Sequence, residues 1–222
     1  RHEPFTNHHF DIARSLQYVL EETVLELTLW LHDETKQRCL TLAGGVALNC
    51  VLNARIRDDG PFEDVWIQPA AGDSGTALGA ALWADAKLRG EHEKTFVMDH
   101  VYWGPSYADE AIADFLERAK VPYTRMEHVA EETAQLLADN CIIGWFQGAM
   151  EYGPRALGSR SILASPVLPE MQAWLNEVKD REDFRPVAPV VTEEDAPQWF
   201  IAAQPSPLDR KSTRLNSSHL VI

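Results

Sequence analysis

The strongest constraint in this chain is a local order that occurs twice. Arg38 to Leu42 (RCLTL) is a short apolar run ending in Ala43-Gly44-Gly45, and Val46 to Ile56 then has a helical pattern. Val65 to Gln68 (VWIQ) is a second such run, followed by a loop over Pro69 to Ser74 and a small-residue helix from Gly75 to Lys87. Strand, glycine turn and helix, twice in succession, commit this region to an α/β layer architecture. Ahead of it, Phe10 to Leu31 reads as a helix whose apolar face carries Ile12, Leu16, Val19, Leu20, Val24, Leu25 and Leu27. A helix that needs packing so early, in a sequence that starts at Arg1, is expected to have further sequence upstream.

Arg89 to Tyr107 is polar and then aromatic, with a Gly104-Pro105 turn, and reads as a domain junction. Beyond it the patterning predicts a helix over Ala108–Lys120, a strand over Tyr123–Met126 and a helix over Ala130–Asn140. Cys141 to Phe146 (CIIGWF) has the length and apolar content of a buried strand. An amphipathic helix over Leu168–Lys179 and a strand over Val187–Val191 complete the pattern.

Charge narrows the partners. There are 34 Asp+Glu against 20 Lys+Arg, a net charge of −14, which disfavours a nucleic-acid backbone as partner. No apolar run approaches the roughly 20 residues a membrane span needs, and the first residues lack a signal-peptide core, so no membrane partner is expected. Cys39, Cys50 and Cys141 match no zinc spacing and read as buried thiols of a protein in the reducing cytoplasm. The last stretch, residues 210–222 (RKSTRLNSSHLVI), has three basic residues and no acid, and reads as a non-native tail resembling a translated sequencing adapter.

Three segments have the residue types of a ligand site. In Ala43-Gly44-Gly45-Val46-Ala47-Leu48-Asn49, glycines between strand and helix let backbone approach a ligand and aim amides at an anion. The same glycines also make a plain strand-to-helix turn, and no Lys-Ser/Thr follows them as in a Walker A loop. In Gly72-Asp73-Ser74-Gly75, Asp73 either caps the next helix or offers a carboxylate to a metal or Mg-nucleotide at a strand end. The third segment, Gly153-Pro154-Arg155-Ala156-Leu157-Gly158-Ser159-Arg160-Ser161, sets two arginines among glycines, with Glu151 the nearby acid. With Lys179, Arg181 and Arg185 it suits a phosphate or carboxylate, although Lys179 to Arg185 interleaves charges as a solvated helix end also does.

Taken in order, LTLAGGVALNCVLNARI, IQPAAGDSGTALGAAL, GWFQGAMEYGPRALGSRSILASP and NEVKDREDFRPVAPVV resemble the NodU/CmcH/TobZ-type O-carbamoyltransferase family over most of residues 10–209. The resemblance implies an α/β chain: the end of an actin/Hsp70-like (Kae1-like) lobe followed by a partial YrdC-like α/β module. Residues 1–100 would be the C-terminal part of the Kae1-like carbamoyltransferase module, and 101–209 the N-terminal part of the YrdC-like module. It implies a reaction in two steps. Carbamoyl phosphate and ATP give carbamoyl adenylate and pyrophosphate, and the carbamoyl group then passes to a hydroxyl of a sugar or secondary metabolite. By motif position, Arg155, Arg160, Lys179, Arg181 and Arg185 would bind carbamoyl phosphate and ATP. Gly44, Gly45, Val46 and Asn49 would hold the adenylate. Asp73 would complete an iron(II) or other divalent metal site whose histidines lie outside this sequence, and ATP would act with Mg.

One position departs from the family pattern. Related sequences commonly read GRMEFGPRALG, whereas Ala149 stands here where Arg is usual. Loss of a guanidinium beside an anion pocket costs about 1.5–3 kcal/mol of charge-assisted hydrogen bonding. That keeps a decayed, nucleotide-binding paralogue as an alternative. A threonylcarbamoyl-adenylate-type tRNA modification enzyme is a further one, against which stand the module order and the acidic charge. The 222 residues alone are expected to be inactive.

Overall fold

The computed structural model describes residues 5–90, 97–192 and 194–200. The suspected tail, residues 210–222, lies outside the described residues. The architecture is mixed helix and small sheets, hence α/β, and the chain divides into two compact units with the boundary between Met98 and Asp99.

In the first unit, helix α1 (Asn7–Thr35) precedes strand β1 (Cys39–Leu42), helix α2 (Cys50–Asp59), strand β2 (Asp64–Ile67) and helix α3 (Thr76–Arg89). The two strands pair in parallel, Leu40 opposite Val65 and Leu42 opposite Ile67, with α2 in the crossover. Parallel neighbours need such a crossover, so β1–α2–β2 is one βαβ unit. Its core gathers Leu25 of α1, Leu40, Leu52, Ile56, Phe62, Val65 and Ile67. Leu52, Ile56 and Val65 are essentially solvent-free. Of the apolar face expected on α1, Leu25 is buried and Leu20 and Val24 are partly covered, whereas Ile12, Leu16, Val19 and Leu27 are exposed.

The helix expected over Val46–Ile56 is two pieces. A short 3-10 turn (Gly45–Leu48) comes first, and Asn49 then adopts extended backbone (φ −80°, ψ 97°) as the N-cap of α2. Its Oδ1 accepts from the Leu52 amide at 3.1 Å, which satisfies one of the donors left open at a helix start.

The second unit contains α4 (Asp109–Ala119), α5 (Val129–Ala138), β3 (Ile143–Phe146), β4 (Arg160–Leu163), α6 (Met171–Val178) and a short α7 (Ala196–Trp199). Strands β3 and β4 pair antiparallel, Ile143 opposite Leu163 and Phe146 opposite Arg160. Ala164, Met171 and Leu175 form the core, with Ile142, Ile162, Leu168 and Val187 packed against it.

Several expectations fail here for local reasons. Tyr123–Met126 is irregular and exposed, with no strand paired to it among the described residues. Val187–Val191 is irregular: Pro189 lacks a ladder donor, and side chains of α6 and Arg181 already take the carbonyls of Arg185 and Pro186. β4, read above only as part of an arginine loop, is a strand because its partner β3 lies 14 residues back, beyond any local signal. The thiols expected to be buried are not: Cys39 and Cys141 are exposed and Cys50 is intermediate. Cys39 opens β1 on the face opposite buried Leu40, so the strand's alternation turns it outward.

Candidate functional site

Within the first unit, the two glycine loops meet at the C-terminal ends of β1 and β2, the end where open α/β sheets take ligands. Gly44 has φ +104°, a region that favours glycine, and its amide donates to the Ala71 carbonyl at 2.7 Å, tying the first loop to the second. A side chain on Gly44 or Gly45 would meet nothing within 4 Å, so open space adjoins both. Val46 beside them is 56% exposed. Gly75 is required differently: a Cβ there would lie 2.1 Å from the Ala70 carbonyl oxygen.

Asn49 is engaged on both sides. Besides capping α2 it donates through Nδ2 to Gln17 Oε1 of α1 at 2.8 Å, so the loop's last residue is anchored across two helices. Asp73 is exposed in a short 3-10 turn and does not cap α3, whose N-cap is Gly75; the capping alternative is thereby corrected. Among the described residues no group of three His, Cys, Asp or Glu is placed to hold a metal ion. Asp73 is a single donor, so these residues alone do not fit one.

The second unit holds the arginine loop between β3 and β4. Its organising group is Glu151, 4% exposed. Glu151 Oε1 accepts from the amides of Leu157 (2.7 Å), Ser159 (2.7 Å) and Arg160 (3.3 Å). Glu151 Oε2 lies 3.1 Å from Arg160 Nε, an ion pair without hydrogen-bond alignment. The Arg160 Nη2 donates to the Gly153 carbonyl at 2.7 Å, closing the loop on itself. Burial pushes the Glu151 carboxyl up, and the backbone donors outweigh it together, leaving the group below the usual carboxylate range. Arg155 is exposed on the same loop.

Within the stretch read above as a domain junction, residues 101–105 form a clasp on this loop. The Gly104 amide donates to the Met150 carbonyl (2.8 Å), that of Met150 to Pro105 (3.0 Å), and that of Tyr152 to buried Val101 (2.6 Å). The Tyr102 hydroxyl reaches the Leu157 carbonyl at 2.7 Å.

Lys179, Arg181 and Arg185 lie at the C-terminal end of α6 and the turn after it, around fully buried Asn176. Asn176 Nδ2 donates to the carbonyls of Asp183 and Arg185, both at 3.0 Å, and its Oδ1 accepts from Arg181 Nε at 2.5 Å. Loss of solvent around its ammonium, and then the Arg181 charge, push Lys179 below its ordinary value. Arg185 is exposed and ion-paired with Glu182 at 2.6 Å, as the solvated-end alternative anticipated. The arginine loop and this turn share one small core, through Ile162 on β4 and Leu175 on α6. A shallow depression at His128, Glu131, Glu132 and Gln135 contains none of the site residues.

Comparison with known proteins decides the family. Residues 2–82 match the family described as carbamoyltransferase N-terminus, and residues 134–219 that described as carbamoyltransferase C-terminus. The chain belongs to the carbamoyltransferase family. Within that family it is 44% identical over 213 residues to an uncharacterized protein of Synechocystis, covering 92% of this chain and 34% of that one. It is 43% identical over 201 residues to nodulation protein NolNO of Sinorhizobium fredii (89% and 29%) and 42% identical over 201 residues to nodulation protein NolO of Bradyrhizobium diazoefficiens (89% and 36%). The chain thus spans about a third of the length of these relatives.

Sequence reasoning missed Asn176 and the clasp from Val101 to Pro105, and saw in Glu151 only a neighbouring acid. The available signal was an acid inside an otherwise cationic, glycine-rich motif, where an unbonded carboxylate would cancel the charge the motif presents.

Proposed function

We propose that this chain is part of an ATP-dependent O-carbamoyltransferase, its first unit the end of an actin/Hsp70-like lobe and its second the start of a YrdC-like module. The observation that carries the reading is the order of matches, carbamoyltransferase N-terminus and then C-terminus, with a cationic loop inside the second match tied down by a buried carboxylate. In this reading, water frees carbamate from carbamoyl phosphate, releasing inorganic phosphate. A carbamate oxygen then attacks the α-phosphorus of ATP, pyrophosphate leaves, and carbamoyl adenylate forms. The acceptor hydroxyl of a sugar or secondary metabolite attacks the carbamoyl carbon, AMP departs, and the hydroxyl proton is lost to solvent.

Arg155, Arg160, Lys179, Arg181 and Arg185 supply positive charge where phosphate oxygens gain negative charge, Arg160 and Arg181 from positions already fixed by hydrogen bonds to Gly153 and Asn176. The Gly44-Gly45-Val46 loop, open above the strand ends and anchored through Asn49, would take the adenylate. Magnesium would accompany ATP, and no step is routed through a metal at Asp73. The test is pyrophosphate release in a protein of the relatives' full length. Release should require both ATP and carbamoyl phosphate; release indifferent to carbamoyl phosphate overturns the reading. A second reading, a decayed nucleotide-binding paralogue, is favoured by Ala149 alone. Under the first reading Ala149→Arg raises pyrophosphate release, and under the second it leaves none to raise.

A further inference from the structure

The geometry points to Glu151 as the positioning residue of the arginine loop: its carboxylate, seated among the loop's own amides, holds residues 153–160 in the shape that receives an anion. The inference rests on the reading of that loop as an anion site. Successive amides that converge on one point form a cradle for negative charge. Here Leu157, Ser159 and Arg160 converge on Glu151 Oε1, at 2.7, 2.7 and 3.3 Å, so the protein's own carboxylate fills the cradle. The same carboxylate draws the Arg160 guanidinium to 3.1 Å, and that guanidinium fixes the Gly153 carbonyl at the loop's other end. One buried side chain therefore sets both ends of the segment.

Two details argue that position is what Glu151 supplies. Gly153 and Gly158 stand at φ +112° and +101°, so the backbone alone leaves the loop many shapes, and something must select one. Glu151 itself is reached by backbone hydrogen bonds on both sides, Met150 to Gly104 and Pro105, and Tyr152 to Val101, so its own placement is secured before the loop closes on it. It is 4% exposed and presents no oxygen to solvent, hence it positions other groups and does not touch substrate.

The test uses the 222-residue chain, with amide hydrogen exchange and calorimetric titration of carbamoyl phosphate. Glu151→Gln keeps an acceptor for the amides and removes the charge. Exchange at Leu157, Ser159 and Arg160 should rise about tenfold, with the amides of β3 and of β4 beyond Arg160 unchanged, and carbamoyl phosphate should bind roughly tenfold more weakly, as loss of a charge-assisted bond predicts. Because Glu151 acts through Arg160, the Glu151→Gln/Arg160→Gln double variant should bind no more weakly than the weaker single variant, whereas a merely structural role makes the losses add. Tyr102→Phe, which deletes one hydroxyl on the loop, is the milder probe should the Gln variant not fold: it should speed exchange at Leu157 and weaken binding about twofold. Unchanged exchange or unchanged affinity in these variants overturns the role of Glu151 and leaves the carbamoyltransferase reading standing if wild type still binds. A wild-type chain that binds no carbamoyl phosphate removes the anion site itself, and the proposal with it.

Discussion

The two units solve the same problem, holding a glycine-rich loop in one shape, by different means. In the first, the loops at Gly44 and Gly72 are fixed from below by a parallel strand pair and an apolar cluster that includes Leu52, Ile56 and Val65, plus one backbone bond from Gly44 to Ala71. In the second, the apolar cluster among the described residues is Ala164, Met171 and Leu175 with a few partly covered neighbours, and the loop and cationic turn hang on two buried polar side chains, Glu151 and Asn176. An apolar core is indifferent to pH and tolerant of local rearrangement; a buried polar network is directional, and failure of one member leaves the others unsatisfied. The second unit is therefore the place where small chemical changes act on shape.

The largest effect that sharpens the contrast is Ile56→Ala. Ile56 is solvent-free, and truncation removes its packing and leaves a cavity, costing about 2–5 kcal/mol. The opening free energy that denaturant-dependent hydrogen exchange reads on β1 and β2 amides should fall by that amount. A cost below 1 kcal/mol would mean the first unit does not rest on this cluster.

Asn176→Ala should come next, at about 1–3 kcal/mol. It removes one of the two side-chain donors to each of the carbonyls of Asp183 and Arg185, leaving those from Gln172, and takes the acceptor from Arg181 Nε, so exchange should rise along residues 180–186 more than on β3. An effect no larger than that of a surface substitution would break the contrast.

Acid should separate the units more subtly. Glu151 is held below the usual carboxylate range in the folded chain, so its contribution is complete above that range and is lost as pH falls through its folded value. The charged group facing it is Arg160. Exchange at Leu157 and Ser159 should therefore climb on acidification ahead of β1 and β2, and Glu151→Gln should flatten that climb.

What was legible in the sequence follows the same division. The βαβ unit is encoded locally, by apolar runs and glycines a few residues apart, and β1, β2, α1 and α3 lie where periodicity puts them. Among its helices the break at Asn49 escaped, because a capping side chain and a helical one are the same residue until the Leu52 amide is seen to need an acceptor. In the second unit the helices α4 to α6 were legible, but β4, the Val101–Pro105 clasp and Glu151 were not. Each depends on a partner set by the closed chain: Phe146 for Arg160, Met150 for Gly104, Leu157 for Tyr102. The candidate arginines were visible as residue types, whereas what they are bonded to was not.

The smallest expected effect tests whether the first unit is as apolar in its construction as claimed, since it too has a charge cluster. Arg55 of α2 reaches Glu21 at 3.1 Å and Glu22 at 2.5 Å on α1, and Asp59 at 3.3 Å on its own helix. These carboxylates raise the Arg55 guanidinium above its ordinary value, Glu21 most. Its stabilisation is nevertheless screened, because Arg55 and Glu22 keep contact with solvent, at 27% and 42% side-chain exposure. Arg55→Met keeps much of the aliphatic stem and removes the charge. Its cost at low salt should be smaller than either truncation above and should shrink as ionic strength approaches about 1 M, where the screening length falls to roughly 3 Å. Thermal unfolding at two salt concentrations reads this directly. A penalty that rivals Ile56→Ala, or that salt leaves unchanged, would show that α1 is held to the βαβ unit by charge, and the two units would then differ only in where their polar anchors sit.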